Sequence, residues 1–114
     1  MPHFILDCSE NILELQEPKK VLEEVFESAF STGLFGRYDI KVRMNPFKHS
    51  LVQGSDADFI HVFANIMEGR TNEQKSNLSR GIISELKKIF PEVQIISINV
   101  RDFEKATYCN KSMV

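Results

Sequence analysis

A pattern of strand, helix and strand occurs twice in this chain of 114 residues, and it limits the possible folds more than any other feature. The two copies are about 56 residues apart, as expected for an internal repeat. Each copy is expected to form a right-handed βαβ unit. We therefore predict an α+β fold in which two βαβ repeats form a mixed four-stranded sheet with both helices on one face. The chain is predicted to be a single domain over residues 1–114, with repeats at about 2–56 and 57–114.

Alternating apolar residues predict the strands. In the first strand, Phe4, Leu6 and Cys8 share one side. Pro46 is predicted to interrupt the second strand because proline cannot donate a ladder hydrogen bond, and a hairpin or extended edge is expected over 48–56. The predicted strands span residues 2–8, 38–44, 58–67 and 93–103.

Two amphipathic helices are predicted between these strands. The first begins at Pro18, where the first turn needs no amide, and ends near Gly33. The second follows Thr71, which can form a capping box with Gln74, and ends before Pro91. The polar segment before the first helix is predicted to be irregular. Because the helices cover only one face, the other face is predicted to be apolar and to pack against another copy.

Composition excludes several classes of protein. The net charge of -2 argues against a nucleic-acid surface, and no apolar run is long enough to predict a membrane span, so we expect a cytoplasmic protein. Cys8 and Cys109 lack a CxxC spacing and are predicted to be buried free thiols. His3, His49 and His61 are scattered and form no ligand pair, so no metal site is predicted.

Pro2 is the residue with the most distinctive chemistry. After removal of Met1, its nitrogen would be a secondary amine, and an α-amino group ordinarily titrates at about 7.7–8. Burial and nearby cations lower such a pKa, so Pro2 could act as a general base at neutral pH. Alternatively, proline is simply tolerated at the first position of a strand. The base hypothesis needs the removal of Met1, because the nitrogen of an internal proline is an amide.

Two separate stretches resemble a known family. The opening Pro2-His3-Phe4-Ile5, followed by Cys8-Ser9 and Asn11-Ile12, resembles the 5-carboxymethyl-2-hydroxymuconate isomerase family. The run from Ile66 to Lys75 is similar to the strand-to-helix junction of 4-oxalocrotonate tautomerase, which belongs to the same superfamily. This resemblance implies a tautomerase fold, a homotrimer with active sites near the subunit contacts, and an amino-terminal catalytic proline.

The resemblance also implies roles for particular residues. Pro2 would be the catalytic base and acid, and no metal or organic cofactor would be needed. Arg70 matches an arginine that follows Glu-Gly in 4-oxalocrotonate tautomerases, and Arg43 matches another family arginine; both would bind substrate carboxylates. Lys41 is the second candidate for binding a substrate carboxylate; it stands where the isomerases have an arginine, so it keeps the charge but loses the planar fork.

The function implied is proton transfer along a small carboxylated dienol or keto acid, with 5-carboxymethyl-2-hydroxymuconate from aromatic acid catabolism as the leading substrate. Two alternatives stay open. One is a tautomerase of another enol, such as phenylpyruvate, because Lys41 departs from the family pattern. The other is a binding protein of the same fold that holds a small carboxylate with Arg70 and Lys41 but performs no chemistry.

Overall fold

Four strands and three helices form the framework of the chain, and a computed structural model describes all 114 residues. The strands are β1 (His3–Ser9), β2 (Lys41–Phe47), β3 (Phe59–Met67) and β4 (Ile95–Phe103), and the helices are α1 (Ile12–Leu15), α2 (Pro18–Ser31) and α3 (Asn72–Ile89). Two 3-10 turns follow in the C-terminal tail, at Lys105–Thr107 and Lys111–Met113.

The strands form one sheet in the order β2-β1-β3-β4. The pairs β1–β2 and β3–β4 are parallel, whereas β1 and β3 are antiparallel. This confirms the predicted mixed sheet of two βαβ units. Because β1 and β3 run in opposite directions, the start of β1 lies at the same end of the sheet as the end of β3. We call this the Pro2 end.

The hydrophobic core lies between the sheet and the two long helices. Phe4 and Leu6 of β1 are fully buried there, as predicted, together with Val25 of α2 and Ile82 of α3. Burying one such side chain contributes roughly 1.5–3 kcal/mol, so this layer of contacts holds the helices on the sheet.

Local signals set the helix boundaries as predicted. Pro18 occupies the first turn of α2, and Gly33 has a φ of 75° just after that helix. The hydroxyl of Thr71 accepts a hydrogen bond from the Gln74 amide at 3.1 Å, and the Gln74 side chain accepts one from the Thr71 amide at 2.8 Å. This capping box starts α3, which ends before Pro91.

Two predictions about the first repeat are wrong. Pro46 does not interrupt the second strand; it pairs with Cys8 inside β2, which spans Lys41–Phe47 instead of 38–44. The Lys41 amide bonds the Pro2 carbonyl, and since such bonds alternate in a parallel pair, the nitrogen of Pro46 points to the open edge of the sheet. The segment before α2 is also not wholly irregular, because it contains α1.

The surface of the sheet away from α2 and α3, which we call the open face, differs from the expectation. It was predicted to be apolar, but polar side chains such as His3, Asp7, His61 and Asn65 alternate there with apolar ones such as Phe63. Strand pleating explains this, because the apolar residues of each strand mostly point to the helices. None of the helices is both long enough and apolar enough to cross a membrane.

Candidate active site

Pro2 lies directly before β1, with its ring fully buried and its carbonyl bonded to the Lys41 amide at 3.1 Å. The α-amino nitrogen of Met1 is 3.4 Å from the carbonyl oxygen of Asp39. Burial lowers the pKa of this amine, and a hydrogen bond with Lys41 and the charge of Lys41 lower it further. The surroundings of the Pro2 end therefore favour an uncharged amine.

Lys41 and Arg43 both lie on the open face beside β1. The sheet register pairs Lys41 with His3 and Arg43 with Ile5. The Lys41 ammonium donates to the carbonyl of Asp39 at 2.8 Å. The Arg43 Nη1 atom lies 3.0 Å from His3 Nδ1 and, as arginine can only donate, His3 accepts there. Two of the predicted site residues are thus close to Pro2.

The surroundings of His3 favour its neutral form. Its pKa is lowered, first by burial and then by the charges of Arg43 and Lys41. The neutral ring therefore accepts from Arg43 through Nδ1 and carries its proton on Nε2. On its other side, His3 meets the ring of Phe103 edge-on at 6.3 Å, and Phe103 lies 6.5 Å from the ring of Tyr108. An aromatic wall thus borders the cationic group.

Arg70 also lies at the Pro2 end, in the connection between β3 and α3, but two of its N–H groups are hydrogen-bonded to backbone carbonyls. Nη2 donates to the Leu34 carbonyl at 2.7 Å, and Nη1 donates to the Met67 carbonyl at 3.2 Å. The guanidinium also stacks on the ring of Phe35 at 5.3 Å. Since arginine has five N–H donors, three remain for a ligand. Arg70 is therefore a half-buried, anchored cation.

A comparison with protein families shows which family this chain belongs to. A family model described as 5-carboxymethyl-2-hydroxymuconate isomerase matches residues 2–113. The chain belongs to the 5-carboxymethyl-2-hydroxymuconate isomerase family. This membership supports an isomerase or tautomerase activity. No curated protein is significantly similar in sequence.

Solved structures share the fold at low sequence identity. A 5-carboxymethyl-2-hydroxymuconate isomerase from Deinococcus radiodurans R1 is 22% identical, with a TM-score of 0.83 over 96% of this chain and 88% of that one. Pt0534 inactivated by 2-oxo-3-pentynoate is 19% identical, with a TM-score of 0.81 over 96% and 91%. An asymmetric trimer of a fused 4-OT, F6, is 10% identical, with a TM-score of 0.80 over 96% and 92%. The fold is therefore the tautomerase fold.

Other polar groups of this isomerase-family chain are bonded to each other away from the Pro2 end. Asp58 accepts hydrogen bonds from Ser9 Oγ at 2.7 Å and from Asn11 Nδ2 at 2.9 Å, at the opposite end of the sheet. His61 lies between Ser97 Oγ and Asn99 Oδ1, at 2.6 Å from each. No three side chains of the metal-ligating types converge on one point.

The prediction that both cysteines are buried free thiols is confirmed only in part. Both are free, and Cys8 is buried as expected, but Cys109 is exposed in the tail after β4. Burial, followed by the charges of Asp7 and Asp58, raises the pKa of Cys8 to about 11. Cys8 is therefore an unreactive thiol at neutral pH.

One cation of the Pro2 end was missed by sequence reasoning. Arg101 is exposed and pairs with Asn65 across β3 and β4, on the open face. Its alternation along the last strand indicated which side it takes, but only the strand order reveals that this side also carries His3 and Lys41.

Proposed function

We propose that this chain is a cofactor-independent isomerase that moves a proton along a conjugated, carboxylated dienol or keto acid. The leading substrate is 5-carboxymethyl-2-hydroxymuconate, formed in the breakdown of aromatic acids. The single observation that carries the proposal is the position of Pro2, buried at the start of β1, next to the Met1 amine whose pKa burial and Lys41 lower.

The proposed chemistry needs only one base. With Met1 removed, the Pro2 amine takes a proton from the substrate, and the electron pair left behind shifts along the conjugated double bonds. The resulting prolinium then returns the proton to another carbon, so that the substrate is isomerised and the amine is regenerated. A free Pro2 amine in the same surroundings would be subject to burial and to the charge of Lys41, and both favour the uncharged form that a base requires.

Three cations are proposed to hold the substrate and stabilise the charge that develops on it. Lys41 lies nearest to the amine and would act as a point charge beside the developing oxyanion. Arg70 would use its remaining donors on a carboxylate while its position is fixed by the carbonyls of Leu34 and Met67. Arg43 would hold a carboxylate on the open face.

We also propose that the working protein is a homotrimer. The fused 4-OT structure that shares this fold is a trimer. The open face supports the proposal because α2 and α3 cover only the opposite side of the sheet. Light scattering during size-exclusion chromatography should give the mass of three chains; the mass of one chain would contradict the proposal.

A second substrate class is favoured by a specific observation. The aromatic wall of Phe103 and Tyr108 beside His3 could pack against an aryl group, as in the enol of phenylpyruvate. Such a substrate carries one carboxylate and a ring instead of two or three carboxylates. The proton transfer at Pro2 would be the same.

The test measures mass and activity on one sample. Intact mass establishes the loss of Met1, and ultraviolet absorbance follows the ketonisation of 2-hydroxymuconate and phenylenolpyruvate. We expect activity on at least one enol, and a loss of about 10²-fold or more in Pro2→Ala. Full activity in Pro2→Ala would refute the mechanism. A trimmed protein that binds these acids without converting them would favour the binding-protein alternative.

A further inference from the structure

The connection between α2 and β2, residues 32–40, contacts three charged or basic groups at the Pro2 end. The Asp39 carbonyl accepts a hydrogen bond from the Lys41 ammonium at 2.8 Å and lies 3.4 Å from the terminal amine. The Leu34 carbonyl accepts a hydrogen bond from Nη2 of Arg70 at 2.7 Å. A single connection therefore helps to place groups that come from three separate parts of the chain.

Phe35 lies in this connection and contacts Arg70 through its ring. The Cζ atom of Arg70 lies 5.3 Å from the centre of the Phe35 ring. Phe35 is only 8% exposed, and a cation is held more strongly over an aromatic ring where water is excluded. The ring therefore restrains the plane of the guanidinium, in addition to the two hydrogen bonds that Arg70 donates to backbone carbonyls.

The Phe35 ring is itself held by the strand that follows Pro2. It meets the ring of Phe4 edge-on, with the two ring centres 6.0 Å apart, which is a favourable arrangement for an aromatic pair. Phe4 is fully buried in β1, two positions after Pro2. A series of contacts thus connects the strand of the proposed base, through Phe4 and Phe35, to Arg70.

A second set of contacts holds the connection against α2. Arg37, two positions after Phe35, binds Glu27 of α2 at 2.7 Å. Its guanidinium also lies 5.0 Å from the ring centres of Phe26 and Phe30 on the same helix. The backbone that carries Phe35 is therefore attached on one side to α2 and on the other to β1.

We propose that Phe35 is a positioning residue that sets the orientation of the Arg70 guanidinium relative to Pro2. Arg70 would contact the substrate, and Phe35 would act only through Arg70. The backbone carbonyls leave the Nε–H group and one N–H group on each Nη atom for a ligand. Two parallel hydrogen bonds to a carboxylate form only when the guanidinium plane is aligned with it. This inference rests on the proposed function, because it takes Arg70 as a substrate-binding residue.

A purely structural role for Phe35 has different consequences. A side chain that only fills the core stabilises the folded protein, so its truncation lowers the amount of active protein and hence the apparent kcat. The KM of the molecules that remain folded does not change. A positioning role instead changes KM, and this change disappears when the guanidinium of Arg70 is absent.

A double-mutant cycle separates these two roles. KM and kcat are measured for the enol that the wild type converts best, in Phe35→Leu, Arg70→Met and the double variant. Phe35→Leu should raise KM about fivefold, with a smaller change in kcat. In the Arg70→Met background, Phe35→Leu should not change KM further. If Phe35→Leu is unfolded, Phe35→Met, which fills more of the same volume, takes its place.

Phe90 provides the matched control. It is 2% exposed and directly follows α3, which starts at the Pro2 end, so Phe90 lies at the opposite end of the sheet. Phe90→Leu makes the same change in the core and should lower stability in chemical denaturation, while KM stays at the wild-type value. An equal rise in KM in Phe90→Leu and Phe35→Leu would show that loss of stability, and not the contact with Arg70, changes KM.

NMR of the Arg70 guanidinium tests the positioning without a substrate. Hydrogen bonds and stacking on a ring slow the rotation of a guanidinium about its Cζ–N bonds, and nitrogen-15 exchange measurements follow this rotation. The signals of Arg70 are identified by their absence in Arg70→Met. Rotation should be faster in Phe35→Leu than in the wild type, and unchanged in Phe90→Leu.

Three results would overturn the proposal. They are a lower kcat with an unchanged KM in Phe35→Leu, the same rise in KM with and without Arg70, and a guanidinium that rotates as slowly in Phe35→Leu as in the wild type. A trimmed wild type that converts neither 2-hydroxymuconate nor phenylenolpyruvate would contradict the proposed function instead. The rotation of the guanidinium would then still decide whether Phe35 orients Arg70.

Discussion

The two ends of the sheet differ in whether their charged side chains have partners. At the far end, the Asp58 carboxylate is satisfied by Ser9 and Asn11, at 2.7 and 2.9 Å. At the Pro2 end, Lys41 and Arg101 have no carboxylate partner. A satisfied network stabilises the fold, whereas unpaired charges leave hydrogen-bonding capacity for a ligand.

The repeat makes this comparison meaningful. Pro2 directly precedes β1 in the first βαβ unit, and Asp58 directly precedes β3 in the second. Because β1 and β3 are antiparallel, these equivalent positions lie at opposite ends of the sheet. Only the first can offer a free amine, since the nitrogen of Asp58 is a peptide amide. The same local fold thus supports chemistry at one end and a structural hydrogen-bond network at the other.

The largest expected effect comes from blocking the amine. One extra residue that is retained before Pro2 turns its nitrogen into an amide, and tautomerase activity should fall about 10²-fold or more. Thermal stability should stay nearly constant, because the added residue lies outside the core. The matched control carries the same extra residue after Val114. Equal losses in both proteins would show that the free amine is not required.

Arg70 is an exception to the difference between the two ends, because it lies at the Pro2 end yet is hydrogen-bonded to the backbone. Arg70→Met leaves the carbonyls of Leu34 and Met67 without these donors and should reduce the free energy of unfolding by about 1.5–3 kcal/mol, as well as raise KM. Chemical denaturation and steady-state kinetics measure the two effects. Wild-type stability with a raised KM would mean that Arg70 serves only the ligand.

Asp58 should show the reverse pattern. Asp58→Ala removes the acceptor shared by Ser9 and Asn11, so the free energy of unfolding should fall by about 1–3 kcal/mol, while kcat and KM of the folded protein stay unchanged. Urea denaturation measures the loss, and Glu92→Ala, an exposed acidic residue after α3, is the control. A change in kcat would show that Asp58 affects the reaction at the Pro2 end.

Short-range signals explain how much of this molecule could be predicted. Alternation in β1 identified which residues face the core, and the capping box of Thr71 and Gln74 located the start of α3. Both signals depend only on residues close in sequence. The same is true of Pro18 and Gly33, which bracket α2.

The features that were missed depend on contacts between distant segments. Pro46 fits inside β2 because that strand is at an edge, which is known only once the strand order is known. Arg70 binds a carbonyl 36 positions away, and Arg101 joins His3 only through the register of β1, β3 and β4. No local pattern encodes these neighbours. The roles assigned to Pro2 and the cations accordingly remain predictions.

The smallest expected effect tests the electrostatics of the Pro2 end directly. Arg43→Met removes one of the charges that lower the pKa of His3, so this pKa should rise; the rise should be partial, because burial is the larger cause. NMR titration of the ring protons measures it, with Arg80→Met as the control. Since the wild-type pKa is lower in the folded than in the unfolded chain, acid favours unfolding, and His3 lowers stability as the pH falls below about 6.5. Arg43→Met should lessen that loss, and an unchanged His3 pKa would show that the cation beside it is screened by solvent.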